Sequence, residues 1–401
     1  MHARLPNEFS ASRQPPLIVQ VVRQYLPNRG GLEEVVANLS GQLHARGYRV
    51  RVVTLDRQFT APDRLLPATE IIDGIEVVRI PFRGSTRYPV APQVLRHIGD
   101  AAIVHVHAID FFFDALAWTR PFHRKPMVAT THGGFFHTQK YASLKTAWFN
   151  TATRVSALAY KRLIGCSLQD TRTFARIAGD RVIRIDNGVD TGKFADAAAR
   201  SPKRRLVTIG RFSVNKRLDN LLGAMQALEA VAPGWRLDIV GVPGDLDEND
   251  LARMVAERGL SDAVQVRIGL SVPELRAVLS ECSLFASASD YEGFGLVAVE
   301  AMSAGLMPLL NPNTAYRDLA AKHPEIRLCD FGNPELAAGT IANSFRELSA
   351  DPRAYRESVM QAASAYSWHQ VAERYLDVYR ELLREPASRP RGDDTAAGRS
   401  N

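Results

Sequence analysis

Cysteine is scarce in this chain: Cys166, Cys282 and Cys329 are the only 3 among 401 residues, far apart and odd in number. Such a set builds neither a disulfide framework nor a clustered metal site, so a reducing, cytoplasmic setting is expected. Long apolar runs are missing as well. No stretch approaches the roughly 18–20 consecutive apolar residues of a membrane span. Met1 to Pro16 is polar and contains proline, without the apolar stretch of a signal peptide. These absences point to a soluble or peripheral protein.

What is present is the composition of a globular protein, 46% apolar and 23% charged. At 401 residues the chain exceeds one ordinary core and suits two domains of roughly 150–200 residues. Its charge is uneven. Residues 1–180 hold 23 Lys and Arg against 13 Asp and Glu, whereas the remainder holds 27 against 30 within a net +7. A basic first half fits a polyanionic partner such as nucleic acid, anionic lipid or a diphosphate-bearing substrate. A solvated, arginine-rich surface accounts for the same counts.

Short runs rich in Val and Ile alternate with helical patterns along the chain. Leu17–Val22, Arg49–Leu55, Ile75–Phe82, Ile103–Ala108 and Met127–Thr131 read as strands, with helices at Leu32–Arg46 and Phe112–Arg120. The rhythm restarts after Thr191–Lys203, a polar and alanine-rich stretch read as a linker. Strands are expected at Leu206–Gly210, Arg236–Gly241, Val264–Gly269, Leu284–Ser289 and Met307–Asn311, and helices at Leu218–Ala230, Asp250–Arg258 and Val272–Ser280. Strands separated by helices imply βαβ units and parallel sheets. The expected organisation is a flexible start (1–16), a first Rossmann-like domain (17–190), the linker (191–203) and a second Rossmann-like domain (204–365). A helix (366–385) is expected to return to the first domain, followed by a disordered tail (386–401). Parallel sheets bind ligands at the carboxyl ends of their strands, so two facing sheets would leave a cleft suited to a two-substrate reaction.

One string carries the strongest chemical signal: Ser289-Asp-Tyr-Glu292-Gly293-Phe294-Gly295-Leu296-Val-Ala-Val-Glu300. It follows an expected strand and opens a helix. Its glycines permit close backbone approach, and a helix start offers free N–H groups to a phosphate. Glu300 sits one turn or more inside that helix, so one carboxylate can reach the sugar end of a donor and the other the ribose. Arg211 offers a planar fork of donors and Lys216 a point charge, a pair suited to a diphosphate leaving group and able to replace a metal ion there. Gly30-Gly31 can bring backbone to a phosphate or an acceptor, although a tight strand-to-helix turn needs the same residues. His132 stands at a strand end before Gly133-Gly134.

The Glu292-to-Glu300 string resembles the E-x7-E signature of the retaining glycosyltransferases of family 4. Further matches are Gly30-Gly31-Leu32-Glu33-Glu34-Val35, Asn187-Gly188-Val189-Asp190 at the expected domain junction, and Ile209-Gly210-Arg211 with Lys216. The likeness covers nearly the whole chain up to the tail. It departs from the family pattern at Arg217, where a glycine usually follows the lysine; little consequence is expected. Tyr88-Pro89-Val90-Ala91-Pro92, His107-Ala108-Ile109-Asp110-Phe111-Phe112 and Thr131-His132-Gly133-Gly134-Phe135-Phe136-His137-Thr138 are similar to a narrower group. That group comprises the exopolysaccharide α-1,3-mannosyltransferases that use GDP-mannose and a cellobiosyl-diphosphopolyprenol acceptor.

The resemblance implies an α/β GT-B fold, two Rossmann-like domains with a cleft between them and C-terminal helices. It also implies a retaining transfer without a metal cofactor. His132, Arg211, Lys216 and Glu292 would be catalytic. Gly30, Gly31, Gly293, Phe294, Gly295, Leu296 and Glu300, together with Arg211, Lys216 and Glu292, would bind the donor. Glu292 would position the transferred sugar, Glu300 the ribose, and His132 the sugar from the opposite domain. A hexosyltransferase using a UDP-sugar stays open, as do a nucleic-acid-binding protein and a non-catalytic nucleotide-sugar binder. Against nucleic acid, the basic residues form no recognised motif.

Asp245-Leu246-Asp247 is formally a D-x-D metal pattern, but acids before a helix also serve as caps. His105 and His107 share one face of a strand, with no third ligand evident in the sequence. The segment Phe135–Arg162 mixes aromatic and basic residues, including Lys140, Lys145, Trp148, Phe149 and Arg154. That mixture suits an interfacial helix docking a lipid-linked acceptor at the inner face of the cell membrane, with each cation worth about 1 kcal/mol at best.

Overall fold

The computed structural model describes residues 14–28, 30–86, 88–133 and 146–384. It contains two parallel sheets. The first runs, edge to edge, Val182–Arg184, Arg162–Gly165, Met127–Thr130, Ile103–His107, Leu17–Val21, Arg49–Leu55, Ile75–Ile80 and Thr69–Ile72. Only Thr69–Ile72 pairs antiparallel within it. The second runs Val264–Ile268, Arg236–Pro243, Arg205–Phe212, Leu284–Ser287, Met307–Leu310 and Arg327–Leu328. Two short antiparallel hairpins, Arg57–Gln58 with Ala61–Leu65 and Arg83–Ser85 with Tyr88–Val90, decorate the first domain.

Both faces of each sheet are covered, which is why the strands read as nearly continuous apolar runs. Along Leu17–Val21 the side chains alternate: Leu17, Val19 and Val21 enter one core and Ile18 the other. The second of these cores is closed by the last helix, Trp368–Arg384, whose Trp368, Val371, Ala372, Tyr375, Leu376, Tyr379 and Leu382 form one apolar stripe. Each such burial stabilises by roughly 1.5–3 kcal/mol. Arg46 Nε meets Glu373 Oε1 at 2.7 Å at the helix's near end, and Arg162 pairs with Glu381 further along. The chain therefore crosses between domains twice.

The two crossings lie side by side. Val189 N–H donates to Tyr366 O at 2.8 Å, and Gly188 is covered by the Trp368 indole, which an added Cβ would meet at 2.4 Å. Only glycine fits there. Next to them, Arg184 of the first domain pairs with Asp318 of the second, and Lys322 Nζ reaches Asp186 Oδ2 at 2.9 Å.

Residues 191–203 do not form a free linker. Phe194, Ala197, Ala198 and Ala199 are buried in the second domain. The Ala198 and Ala199 N–H groups donate to Ala304 O and Cys282 O, and Arg356 donates to both their carbonyls. The stretch links the domains with its alanines packed into the second domain's core. The strands at 162–165, 182–184 and 69–72 were not foreseen. They are short, and Arg162 and Arg184 mask their apolar pattern.

Phe135–Arg162 is likewise not one interfacial helix. Residues 134–145, and Lys140 and Lys145 with them, lie outside the described residues. Phe149 is core, edge-on to Phe174 at 5.2 Å. Arg162 belongs to a central strand. Trp148 and Arg154 are exposed, with Val155 and Leu158 beside them. The tail from 385 and residues 1–13 are outside the described part of the chain.

Candidate active site

A cleft of about 800 Å³ opens between the domains, a size suited to a small-molecule ligand. His132, Gly133, Cys166, Ser167, Gln169 and Asp170 line it from the first domain, and the run Tyr291–Val297 with Tyr316 lines it from the second.

On the second wall the chain leaves strand Leu284–Ser287, turns through Glu292-Gly293-Phe294-Gly295 and enters helix Leu296–Ala304. Gly295 has φ +96°, and a Cβ there would approach Tyr316 Cε1 to 2.8 Å. Both its conformation and its lack of a side chain are required. Gly293 has open space above it. Phe294 turns its ring largely inward, edge-on to Tyr366 at 5.5 Å, and so ties this loop to the second crossing. Leu296 is partly exposed at the cleft.

Each glutamate meets a lysine. Glu292 Oε1 lies 2.7 Å from Lys216 Nζ and accepts from Tyr316 O–H at 3.3 Å. Glu300 Oε1 lies 3.3 Å from Lys193 Nζ. Burial pushes the Glu300 carboxyl above its usual range, Lys193 opposes that shift, and Glu34 of the first domain adds to it. The helix start Gly31–Ala45 therefore sits within electrostatic reach of Glu300. The space over Gly30 is taken by the Glu33 carboxylate, which an added Cβ would meet at 2.6 Å and which accepts from Asn28. Gly31 is open, with nothing within 4 Å of an added Cβ.

Lys216 ends the turn Val214–Lys216 and lies over Gly210, where a Cβ would meet its Cε at 3.1 Å. Arg211 is exposed at the end of strand Arg205–Phe212, with its side chain laid across Gly244. It does not line the cleft, and no carboxylate pairs with it among the described residues. Arg217 has φ +46°, the left-handed geometry that explains why glycine is usual there. Its guanidinium bonds Asp219, Asn220 and Asp290. The D-x-D acids are structural: Asp247 and Asp250 form a capping box, and Asp245 accepts from Val214 N–H at 3.1 Å.

The first wall presents a neutral imidazole beside the Asp170 carboxylate. His132 follows strand Met127–Thr130 in a left-handed conformation, φ +52°, costly for a non-glycine residue and common at functional sites. Its Nε2 lies 3.0 Å from His107 Nδ1, and its Nδ1 lies 3.8 Å from Cys166 Sγ. Burial pushes its pKa down to about 3. The imidazole is uncharged at neutral pH and bonds as a dipole. His105 and His107, also held neutral by burial, thus have a third histidine beside them. The three share hydrogen bonds and ring contacts, with His105 and His107 4.1 Å apart.

Lys193, Ser167, Asp170 and Tyr316 were missed from the sequence. Ser167 caps helix Leu168–Ala178 by accepting from Asp170 N–H, a Ser-x-x-Asp start that the sequence does display. Asp170 is buried, accepting from Cys166 N–H at 3.2 Å and from Thr131. Lys193 and Tyr316 sit in segments without local signal.

Comparison with known proteins places this geometry. The profile described as "Glycosyltransferase Family 4" matches residues 29–193 and that described as "Glycosyl transferases group 1" matches 191–362. A protein of Xanthomonas campestris named GDP-mannose:cellobiosyl-diphosphopolyprenol alpha-mannosyltransferase is 44% identical over 92% of this chain and 98% of its own. One of the same name from Komagataeibacter xylinus is 42% identical over 91% and 93%. The crystal structure of a glycosyltransferase from Rickettsia africae superposes with TM-score 0.69 at 15% identity, covering 93% of this chain and 100% of that one, and so shares the fold. With two Rossmann-like domains around a cleft lined by Glu292 of the E-x7-E string, the chain belongs to the family 4 glycosyltransferases of GT-B fold.

Proposed function

We propose that this glycosyltransferase moves α-mannose from GDP-mannose to cellobiosyl-diphosphopolyprenol, forming an α-1,3 linkage with retention, in bacterial exopolysaccharide synthesis. The observation that carries this reading is the 42–44% identity, spread over 91–92% of the chain, with relatives named for that donor and acceptor.

In this reading the acceptor hydroxyl oxygen bonds to the mannose anomeric carbon as the bond from that carbon to the diphosphate breaks. The bonding pair leaves with the diphosphate, and the hydroxyl proton passes to one of its oxygens on the same face. Lys216, released from Glu292 by the stronger charge of a diphosphate, stabilises the leaving group, and Arg211, exposed at the end of its strand, adds a second cation. Glu292 then holds mannose hydroxyls, Glu300 the ribose, and neutral His132 the sugar from the other wall. The lysine and arginine supply the positive charge, so no metal is needed.

Trp148, Val155 and Leu158 expose apolar surface next to Arg154. In this reading they rest on the anionic inner face of the cell membrane beside the lipid acceptor.

The test offers radiolabelled GDP-mannose and UDP-hexoses with the cellobiosyl lipid, with and without EDTA. Label entering the lipid phase from GDP-mannose alone, undiminished by EDTA, is expected. Transfer from a UDP-sugar instead would replace the reading.

A further inference from the structure

Behind His132 lies a chain of buried polar side chains that the transfer reaction, as described above, does not use. His107 Nε2 is 2.7 Å from Gln20 Oε1. Gln20 Nε2 donates to Tyr379 Oη at 3.4 Å, and Tyr379 Oη in turn lies 2.7 Å from His105 Nδ1. His105 Nε2 lies 2.8 Å from Thr130 Oγ1, which in turn lies 3.5 Å from Tyr375 Oη. Gln20, His105, His107 and Thr130 are fully buried. They come from three adjacent strands and from the last helix, so four separate stretches of sequence converge behind one imidazole.

The donors follow from the amide of Gln20. Its oxygen accepts, so His107 carries its proton on Nε2 and offers the Nδ1 lone pair. His132 must then donate from Nε2, which leaves its Nδ1 unprotonated beside Cys166 in the cleft. A buried polar network with every member bonded is stiff, since any rotation strands a desolvated group. The left-handed backbone at His132 turns the ring back towards this support.

We propose that His107, held by Gln20, is a positioning residue that locks His132 with Nδ1 presented to the cleft as an acceptor for a hydroxyl of the transferred sugar. The proposal rests on the reading that His132 contacts that sugar. Through Tyr379 the same lock is seated on the returning helix, so the sugar contact depends on the chain's final crossing.

The decisive set is His107→Asn, His107→Gln, His107→Ala, His132→Ala and the double variant His107→Ala/His132→Ala. Asn places a polar atom where Nδ1 stood, facing His132; Gln reaches only to Gln20. Asn is expected to keep turnover within about threefold of the wild type. Gln and Ala are expected to lower kcat about 10–100-fold, with KM for GDP-mannose and affinity for GDP within about threefold. The double variant should be no slower than His132→Ala, because both act at one contact.

Multiplying losses in the double variant, or Gln rescuing as well as Asn, would overturn the lock while leaving the sugar contact of His132 standing. Full turnover in His132→Ala would overturn both. Should His107→Ala fail to fold, the Asn and Gln variants decide between these outcomes.

Discussion

The two walls of the cleft are built on opposite electrostatic plans. The second-domain wall carries paired charges near its surface: Lys216 with Glu292 and Lys193 with Glu300. The first-domain wall presents an imidazole stripped of charge by burial, backed by two more. A diphosphate needs cations that exchange partners as charge builds, and partly exposed ion pairs exchange at small cost. A hexose needs directional bonds to neutral hydroxyls, and a desolvated, fully bonded network keeps those directions fixed. The cleft thus keeps its lysines on one domain and a neutral, fixed imidazole on the other.

The strongest way to break this contrast is to remove the sugar-side carboxylate of the charged wall. Glu292→Ala is expected to lower transfer about 10²–10³-fold, the scale of losing one well-placed polar group at a reacting centre. The far-UV spectrum should stay unchanged, because the side chain is partly exposed at the cleft. Near-normal turnover in a lipid-phase label assay would remove Glu292 from the mechanism.

Acid sharpens the contrast next. Unfolded histidine titrates near 6.5, whereas His132 in the fold titrates at about 3. The unfolded chain therefore binds more protons in that window. The stability held by neutral His132 is complete above about pH 6.5 and is lost progressively as pH falls towards 3, about 2 kcal/mol of it by pH 5. His105 and His107 shift the same way. Urea midpoints for the wild type and His132→Gln at pH 7 and pH 5 check this: the variant should lose less on acidification. Equal losses would mean that the first wall does not hold His132 neutral.

The smallest effect concerns the turn that carries Lys216. Arg217 accepts left-handed strain of about 1–2 kcal/mol, offset by exposed pairs worth about 0–1 kcal/mol each. Arg217→Gly is expected to change unfolding free energy by less than about 1 kcal/mol and to leave transfer within about twofold. A larger fall in activity would show that Asp219 and Asp290 act through Arg217 to place Lys216.

The same division explains what the sequence disclosed. The charged wall is local: Glu292, Gly293, Gly295 and Glu300 fall within one turn and one helix, so spacing and residue type reveal them together. Gly295 is legible because only glycine adopts its backbone beside Tyr316. The histidine network of the other wall is assembled from residues 20, 107, 132 and 379, and no pattern along the chain joins them; His105 and His107 read as a pair wanting a third partner. Lys193 escaped notice because it lies in 191–203, whose alanines resemble a link when their burial is unseen. Phe149 misled in the other direction: beside Trp148 and Arg154 it reads as membrane-facing, yet the helix turns it into the core.

The most direct test is calorimetric binding of GDP to Lys216→Ala and His132→Ala side by side. If the cations are confined to the second wall, Lys216→Ala should weaken GDP about 10–100-fold, the worth of one charge-assisted contact, while His132→Ala stays within about twofold of the wild type. Equal weakening in both variants, or loss only in His132→Ala, would contradict the division of the cleft into a wall that carries the lysines and a wall that presents a neutral imidazole.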